Sequence, residues 1–76
     1  MRPSADTVGT SIRHFNDFVR GEIRDRNETQ EGLASYLNVS RSTLSYRLSG
    51  KVEWSFRDFL RTAEYFGMDP RELIRG

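Results

Sequence analysis

Residues 29–50 read TQEGLASYLNVSRSTLSYRLSG, and this stretch determines how the rest of the chain is interpreted. Two helix-forming segments lie on either side of Asn38. Each is preceded by a hydroxyl residue suited to capping a helix, Thr29 for the first and Ser40 for the second. Asn38 is one of the few residue types besides glycine that tolerate the left-handed conformation at a helix end. The stretch therefore predicts two short helices joined by a tight turn.

Upstream of this stretch, apolar residues recur at three- and four-residue steps, which indicates a first helix. They are Ile12, Phe15, Phe18, Val19 and Ile23. This helix is predicted to start at Thr10 or Ser11, to run to about Arg26 and to be followed by a break at Asn27. Residues 1–9 are interpreted as a flexible N-terminal arm.

Downstream, Ser55 is predicted to cap a fourth helix that ends at Gly67, and Asp69-Pro70 opens a short fifth helix. The expected core face of the fourth helix consists of Phe56, Phe59, Leu60, Ala63 and Phe66. No segment alternates with the period of a strand. We therefore predict a compact all-α domain of five helices over residues 10–76, with the second and third helices in a helix-turn-helix arrangement.

Length and composition limit the class of protein. A chain of 76 residues forms one domain with a small core. It contains no cysteine and one histidine, His14, so neither a thiolate metal site nor a histidine-based catalytic triad is expected. We predict no enzymatic activity and no cofactor. The polar N-terminus and the lack of a long apolar run predict a cytoplasmic protein without a membrane segment.

Charge is distributed unevenly along a chain whose net charge is only +1. Between Gly32 and Val52 the charged residues are Arg41, Arg47 and Lys51, and acidic residues are absent. An anionic partner would meet the least repulsion there. On charge alone, a random fluctuation in a charged sequence explains this window equally well.

The third helix has two contrasting faces when its residues are placed at helical spacing. Leu44 and Leu48 point to one side, and the opposite side carries Ser42, Ser45, Tyr46 and Ser49. Short side chains allow close approach to a surface, and hydroxyl groups both donate and accept hydrogen bonds, which suits phosphate oxygens and base edges. Arginine at the start of such a helix can bind guanine with two hydrogen bonds.

Residues 29–50 resemble the helix-turn-helix of the lambda repressor/Cro-like (Xre) family. The positions that carry the resemblance are Gln30, Ala34, Asn38, Val39, Ser40 and Leu44. The segment WSFRDFLRTAEYFGMDPREL is similar to the fourth and fifth helices of the family, and the ending RLSG with Trp54 is similar to short forms from phages and actinobacteria. Arg47 departs from the pattern, since that position is usually apolar.

The resemblance implies a set of DNA contacts. The base-reading positions would be Arg41, Ser42, Ser45 and Tyr46. The contacts to the DNA backbone would be Gln30, Thr43, Arg47, Ser49 and Lys51. For Arg47, a structural role is the alternative to a phosphate contact.

Two functions are compatible with the sequence. The first is a sequence-specific transcriptional regulator of the phage repressor/Cro type, bound as a homodimer to double-stranded DNA at a palindromic operator. The second is a helical protein-interaction module, such as an antitoxin or an adaptor, with DNA binding secondary or absent. The apolar residues available for a dimer contact are expected to be Val8, Met68 and Ile74. Trp54 is expected to cover the core at the start of the fourth helix, with a dimer contact as the alternative.

Overall fold

The computed structural model describes residues 6–73, and over this range the chain forms helices and the connections between them. In chain order they are α1 (Asp6–Asp25), α2 (Gln30–Leu37), α3 (Arg41–Leu48), α4 (Phe56–Phe66) and α5 (Pro70–Leu73). Residues 6–73 contain no β-strand, and none of their helices is long and apolar enough to cross a membrane. The predicted all-α, five-helix architecture is confirmed.

Hydroxyl side chains cap α2, α3 and α4, as the sequence predicts. In each case the side-chain oxygen accepts a hydrogen bond of 2.9–3.1 Å from the backbone N–H three residues later. The pairs are Thr29 with Gly32, Ser40 with Thr43, and Ser55 with Asp58. Each cap satisfies an N–H group that the helix itself leaves without a partner, and contributes about 1 kcal/mol.

Residues in the left-handed conformation end α2 and α4. Asn38 has φ 60° and ψ 42°, and Gly67 has φ 66° and ψ 34°. Asn27, in the break after α1, also has a positive φ of 58°. These conformations confirm the predicted helix ends, and β-branched residues at the same positions would be strained.

The first helix begins earlier than the sequence predicts. It starts at Asp6, so residues 6–9 are helical and do not form the expected arm, while residues 1–5 lie outside the described range. Gly9 and the β-branched residues beside it have low helix propensity, so the local signal is weak there. The helix still extends upstream because adding a turn to an existing helix costs less than nucleating a new one.

The core receives buried side chains from all five helices. They are Phe15, Val19 and Ile23 of α1; Leu33, Ala34 and Leu37 of α2; Leu44 and Leu48 of α3; Ala63 and Phe66 of α4; and Leu73 of α5. Helix α2 packs against α3 and α4, and α1 packs against α3 and α5. The burial of Leu44 and Leu48 directs the opposite face of α3 toward solvent.

The inward face of α4 differs from the predicted one. Phe56 is 74% exposed and Leu60 is 39% exposed, although the sequence analysis assigned both to the core. Asp58 and Thr62 are buried instead. A hydropathy pattern misassigns this face because Asp58 is paired inside the protein with an arginine from α3, Arg47.

Truncating the core should destabilise the domain far more than truncating the outer face of α4. Leu44→Ala is expected to lower the free energy of unfolding by about 2–5 kcal/mol, against a total of roughly 5 kcal/mol for a domain of this size. Leu60→Ala is the matched control and should change it by less than about 1 kcal/mol. Urea denaturation followed by circular dichroism measures both. Equal losses of unfolding free energy in the two variants would show that the assignment of Leu44 to the core and of Leu60 to the outer face is wrong.

Candidate nucleic-acid interface

A turn of three residues joins α2 to α3. The N–H of Asn38 donates to the carbonyl of Ser35 at 3.1 Å, and the N–H of Val39 donates to the carbonyl of Ala34 at 3.0 Å. These bonds satisfy carbonyl groups at the end of α2, and the cap of Ser40 then starts α3 at once. Ala34 is buried with 2% exposure. The two helices are thus held in a tight pair with little freedom at the turn.

The outer face of α3 carries the residues that the sequence assigned to base reading. Arg41, Ser42, Ser45 and Tyr46 are all exposed. Tyr46 is 50% exposed, so its ring is not part of the core. No residue of α3 is acidic, so this helix places no negative charge beside the four exposed side chains.

Two of the residues assigned to the DNA backbone lie near the starts of the paired helices. Gln30 is the first residue of α2 and is partly buried. Thr43 is partly buried in the first turn of α3, and its hydroxyl oxygen accepts a hydrogen bond of 2.9 Å from the hydroxyl of Ser40. Thr43 therefore also reinforces the cap of its own helix.

Two more of the five residues assigned to the DNA backbone, Ser49 and Lys51, lie just after α3. Ser49 is exposed, and its hydroxyl donates to the carbonyl of Tyr46 at 3.0 Å. Lys51 is exposed, and its Nζ lies 5.7 Å from the centre of the Tyr46 ring. A cation at this distance from a ring is weakly attracted to it, so Lys51 and Tyr46 restrict one another at the edge of the exposed face.

Arg47 is largely buried, and its contacts favour the structural role over the predicted contact with the DNA backbone. Its Nη1 donates to Oδ2 of Asp58 at 2.5 Å, and the two side chains are only 13% and 11% exposed. The guanidinium carbon also lies 5.6 Å from the centre of the Trp54 ring. Three residues after Leu44, position 47 faces α4, so an arginine there needs a buried anion and finds it in Asp58.

The chain matches a known protein family. A family model described as helix-turn-helix matches residues 22–73, which include the end of α1 and the whole of α2, α3, α4 and α5. This chain belongs to the lambda repressor/Cro-like helix-turn-helix (Xre) family. Comparisons with curated proteins and with solved structures gave no match. Family membership supports DNA binding by a regulatory domain, and α3 takes the place of the second helix of the motif, which is termed the recognition helix.

The far end of the recognition helix is attached to α1 by Arg20. Its Nη1 donates to the carbonyl of Leu48, and its Nη2 forms an ion pair of 2.6 Å with Asp17. The carbonyl of Leu48 is one that a helix end leaves without an intrahelical partner. This role of Arg20 was not predictable from the sequence, because its partner is a backbone atom 28 residues away.

Trp54 covers the core between α1 and the recognition helix. Its ring meets Phe15 edge to face at a centroid distance of 4.8 Å, and its indole N–H donates to Oδ1 of Asn16 at 2.8 Å. Asn16 is only 3% exposed. The predicted role of Trp54 as a cover over the core is confirmed, and Asn16 satisfies the indole N–H that this burial would otherwise leave unpaired.

Two tyrosines connect α4 with the motif. Tyr36 of α2 donates to the carboxylate of Glu64, and this hydrogen bond raises the pKa of the Tyr36 phenol above its usual value. Tyr65 donates to Glu28 at 3.0 Å, and burial followed by this hydrogen bond raises the pKa of Tyr65. Both phenols therefore remain protonated donors at neutral pH. These bonds hold both ends of α2 against α4.

The Arg47–Asp58 ion pair lies beneath the recognition helix. We expect removal of one charge to destabilise the domain, and replacement of both residues by apolar ones to restore most of the stability. Arg47→Ala leaves the carboxylate of Asp58 buried without a partner and should cost about 3–5 kcal/mol of unfolding free energy. The double variant Arg47→Met with Asp58→Leu removes both charges and should recover most of this loss. Thermal unfolding of the two proteins provides the comparison.

Arg41→Ala is the control for the loss of an arginine from the same helix. Its side chain is exposed, so the unfolding free energy should change by no more than about 0.5 kcal/mol. If Arg47→Ala lowered the unfolding free energy as little as Arg41→Ala does, the Arg47–Asp58 pair would not stabilise the position of the recognition helix.

Proposed function

We propose that this protein is a cytoplasmic, sequence-specific transcriptional regulator of the phage repressor/Cro type, which inserts α3 into the major groove of DNA. The observation that carries the proposal is the outer face of α3. It has an arginine in its first turn, short hydroxyl side chains and an exposed phenol, while its inner leucines and Arg47 hold the helix in the domain. The major groove is wide enough to admit one such helix.

Base reading is assigned to Arg41, Ser42, Ser45 and Tyr46. The guanidinium group of Arg41 has the fork geometry that binds O6 and N7 of guanine. Ser42 and Ser45 are short enough for the helix backbone to approach the base edges, and their hydroxyls donate or accept. Tyr46 offers a ring edge and a hydroxyl at the far end of the same exposed face.

Contacts to the DNA backbone are assigned to Gln30, Thr43, Ser49 and Lys51. Gln30 begins α2, where unpaired backbone N–H groups also attract a phosphate oxygen. Lys51 supplies a positive charge after the end of α3. Such contacts set the position of the protein on the duplex and carry no sequence information.

Two copies are proposed to bind a palindromic operator. One recognition helix reads only a few base pairs, and a two-fold dimer doubles the site, with half-sites about one helical turn apart. A footprint that covers two symmetric half-sites with a 2:1 protein–DNA stoichiometry is the expected result. A single asymmetric half-site bound 1:1 would contradict the dimer.

Salt dependence separates this function from that of a protein-interaction module. Each phosphate neutralised by the protein releases counterions, so a DNA-binding regulator loses affinity linearly with salt on a log–log plot. Binding to random duplex at several salt concentrations is the measurement. We expect a clearly negative slope, and a flat dependence with negligible affinity would favour the interaction module.

Arg41 and Gln30 provide a test of base reading against backbone contact. Arg41→Ala should cost about 1–3 kcal/mol of binding free energy on the best site and relax the preference at one base pair. Gln30→Ala should weaken binding to all sequences about equally and leave the salt slope nearly unchanged, because no charge is removed. Affinities of both variants for operators with single-base substitutions supply the data, after selection of an operator from a random duplex pool.

The pattern across this panel decides the role of Arg41. If Arg41→Ala lowered every affinity by the same factor, Arg41 would be a phosphate contact. Sequence reading would then depend on Ser42, Ser45 and Tyr46, or on the shape of the DNA. Circular dichroism of each variant serves as the control for folding.

A further inference from the structure

An apolar groove of about 480 Å³ opens next to the end of the recognition helix. Ile12 of α1, Val52 of the loop after α3 and Phe56 of α4 lie on its rim, and their exposed fractions are 40%, 43% and 74%. Phe15 and Phe59 line it more deeply. Exposed aromatic and aliphatic side chains that share one surface mark an interaction site more often than isolated ones do.

This groove is not where the sequence placed the spare apolar residues. Met68, one of the residues expected to be available for a dimer, and Trp54, for which a dimer contact is the alternative role, are partly buried and pack against the core. The side chain of Val8 and the whole of Ile74 lie outside what the structure describes. Among the described residues, the largest exposed apolar fraction instead belongs to Phe56, which the sequence had assigned to the core.

We propose that the apolar groove is the contact surface between two copies of this chain bound to adjacent half-sites, with the Phe56 ring of each copy entering the groove of the other. The proposal rests on the proposed DNA-binding function, which it extends by naming the protein–protein contact. A two-fold interface uses the same surface on both copies, so that surface must contain both a projecting group and a recess for it.

The groove meets this requirement. Phe56 projects at one side of the recess that it helps to line. A volume of about 480 Å³ is ample for a phenyl ring, since an engineered cavity of about 150 Å³ already binds benzene. Burying an exposed phenylalanine also removes a large apolar area from water, which favours association.

Charges of opposite sign flank Phe56. Glu53 precedes it in the loop and also lines the groove, while Arg57 follows it in α4, and both side chains are exposed. Among residues 6–73 neither forms an ion pair within the chain. A proposed two-fold contact centred near Phe56 would contain two such pairs, because Glu53 of each copy would face Arg57 of the other. Such complementary charges define the register of an interface.

The size and position of the groove explain why the contact would form on DNA. The ten residues that line the groove and the flanking Arg57 are fewer than the roughly 20–30 residues that each partner contributes to a stable interface. The free protein is therefore expected to be mainly monomeric at micromolar concentration. Gly50, which follows the last residues of α3, belongs to the lining. A second copy that binds in this groove also holds its own recognition helix close to the same duplex. Its contacts with the DNA then supply the association free energy that the small protein–protein contact lacks.

The test compares binding to a duplex with two half-sites and to a duplex with one, both taken from sequences selected with the unchanged protein. The unchanged protein should bind the two-site duplex cooperatively, by a factor within the range of about 5- to 150-fold that is typical of coupling between sites. Phe56→Gln should abolish the cooperativity and leave affinity for the one-site duplex unchanged. Glutamine is neutral, so the variant adds no repulsion of DNA, and the exposure of Phe56 predicts an unchanged melting temperature.

A charge exchange identifies the partner as a second copy. Glu53→Arg and Arg57→Glu should each reduce the cooperativity, because each places like charges opposite one another in both halves of the contact. The double variant restores opposite charges and should recover it. Affinity for the one-site duplex corrects each protein for its altered attraction to DNA, and Leu60→Gln, on the same exposed side of α4 but outside the groove lining, is the matched control for loss of an apolar side chain.

The possible failures are distinguishable. If the unchanged protein selects no sequence from the pool, the proposed DNA-binding function fails. If it binds both half-sites specifically but independently, only the contact between copies is wrong. If cooperativity persists in Phe56→Gln, the copies meet through another surface, and the groove belongs to a different partner. Failure of the double variant to recover the cooperativity of the single variants would refute the pairing of Glu53 with Arg57.

Discussion

The ion pair between Arg47 and Asp58 determines how the recognition helix lies in this domain. It joins α3 to the first turn of α4 beneath the exposed outer face of α3. Because both side chains are nearly buried, the pair tolerates little displacement, and separating the charges would leave each without water or a partner. The same pair turns Asp58 inward and so turns Phe56 outward. The orientation of the recognition helix and the exposed apolar groove are therefore two results of one interaction.

Features of the fold that depend on neighbouring residues were predictable from the sequence. The caps Thr29, Ser40 and Ser55 and the left-handed Asn38 and Gly67 act within a few residues of themselves, and all lie where the local pattern indicated. The start of α1 was missed because residues 6–9 carry weak local preference in either direction. The face of α4 was misassigned because its cause lies in α3, and a count of apolar positions contains no information about a distant charged partner.

The candidate site likewise has features that were predictable from the sequence and features that were not. The outer face of α3 follows from helical spacing once Leu44 and Leu48 are placed in the core, so the exposure of Ser42 and Tyr46 was predictable. The contacts that hold this helix in place were not predictable. Arg20 reaches a backbone carbonyl 28 residues away, and Asn16 accepts from Trp54 38 residues away. Contacts between residues so far apart in the chain follow only from the packed structure.

The helix boundaries set by hydroxyl caps also have a kinetic consequence. A cap such as Ser40 forms with a residue three positions away. The boundaries of the helices are therefore defined before the core assembles. Small helical domains with mostly local contacts fold in about microseconds to milliseconds. Synthesis at about 5–20 residues per second takes several seconds for 76 residues. The domain therefore folds in far less time than the synthesis of its residues takes, so folding does not limit how quickly the folded domain accumulates.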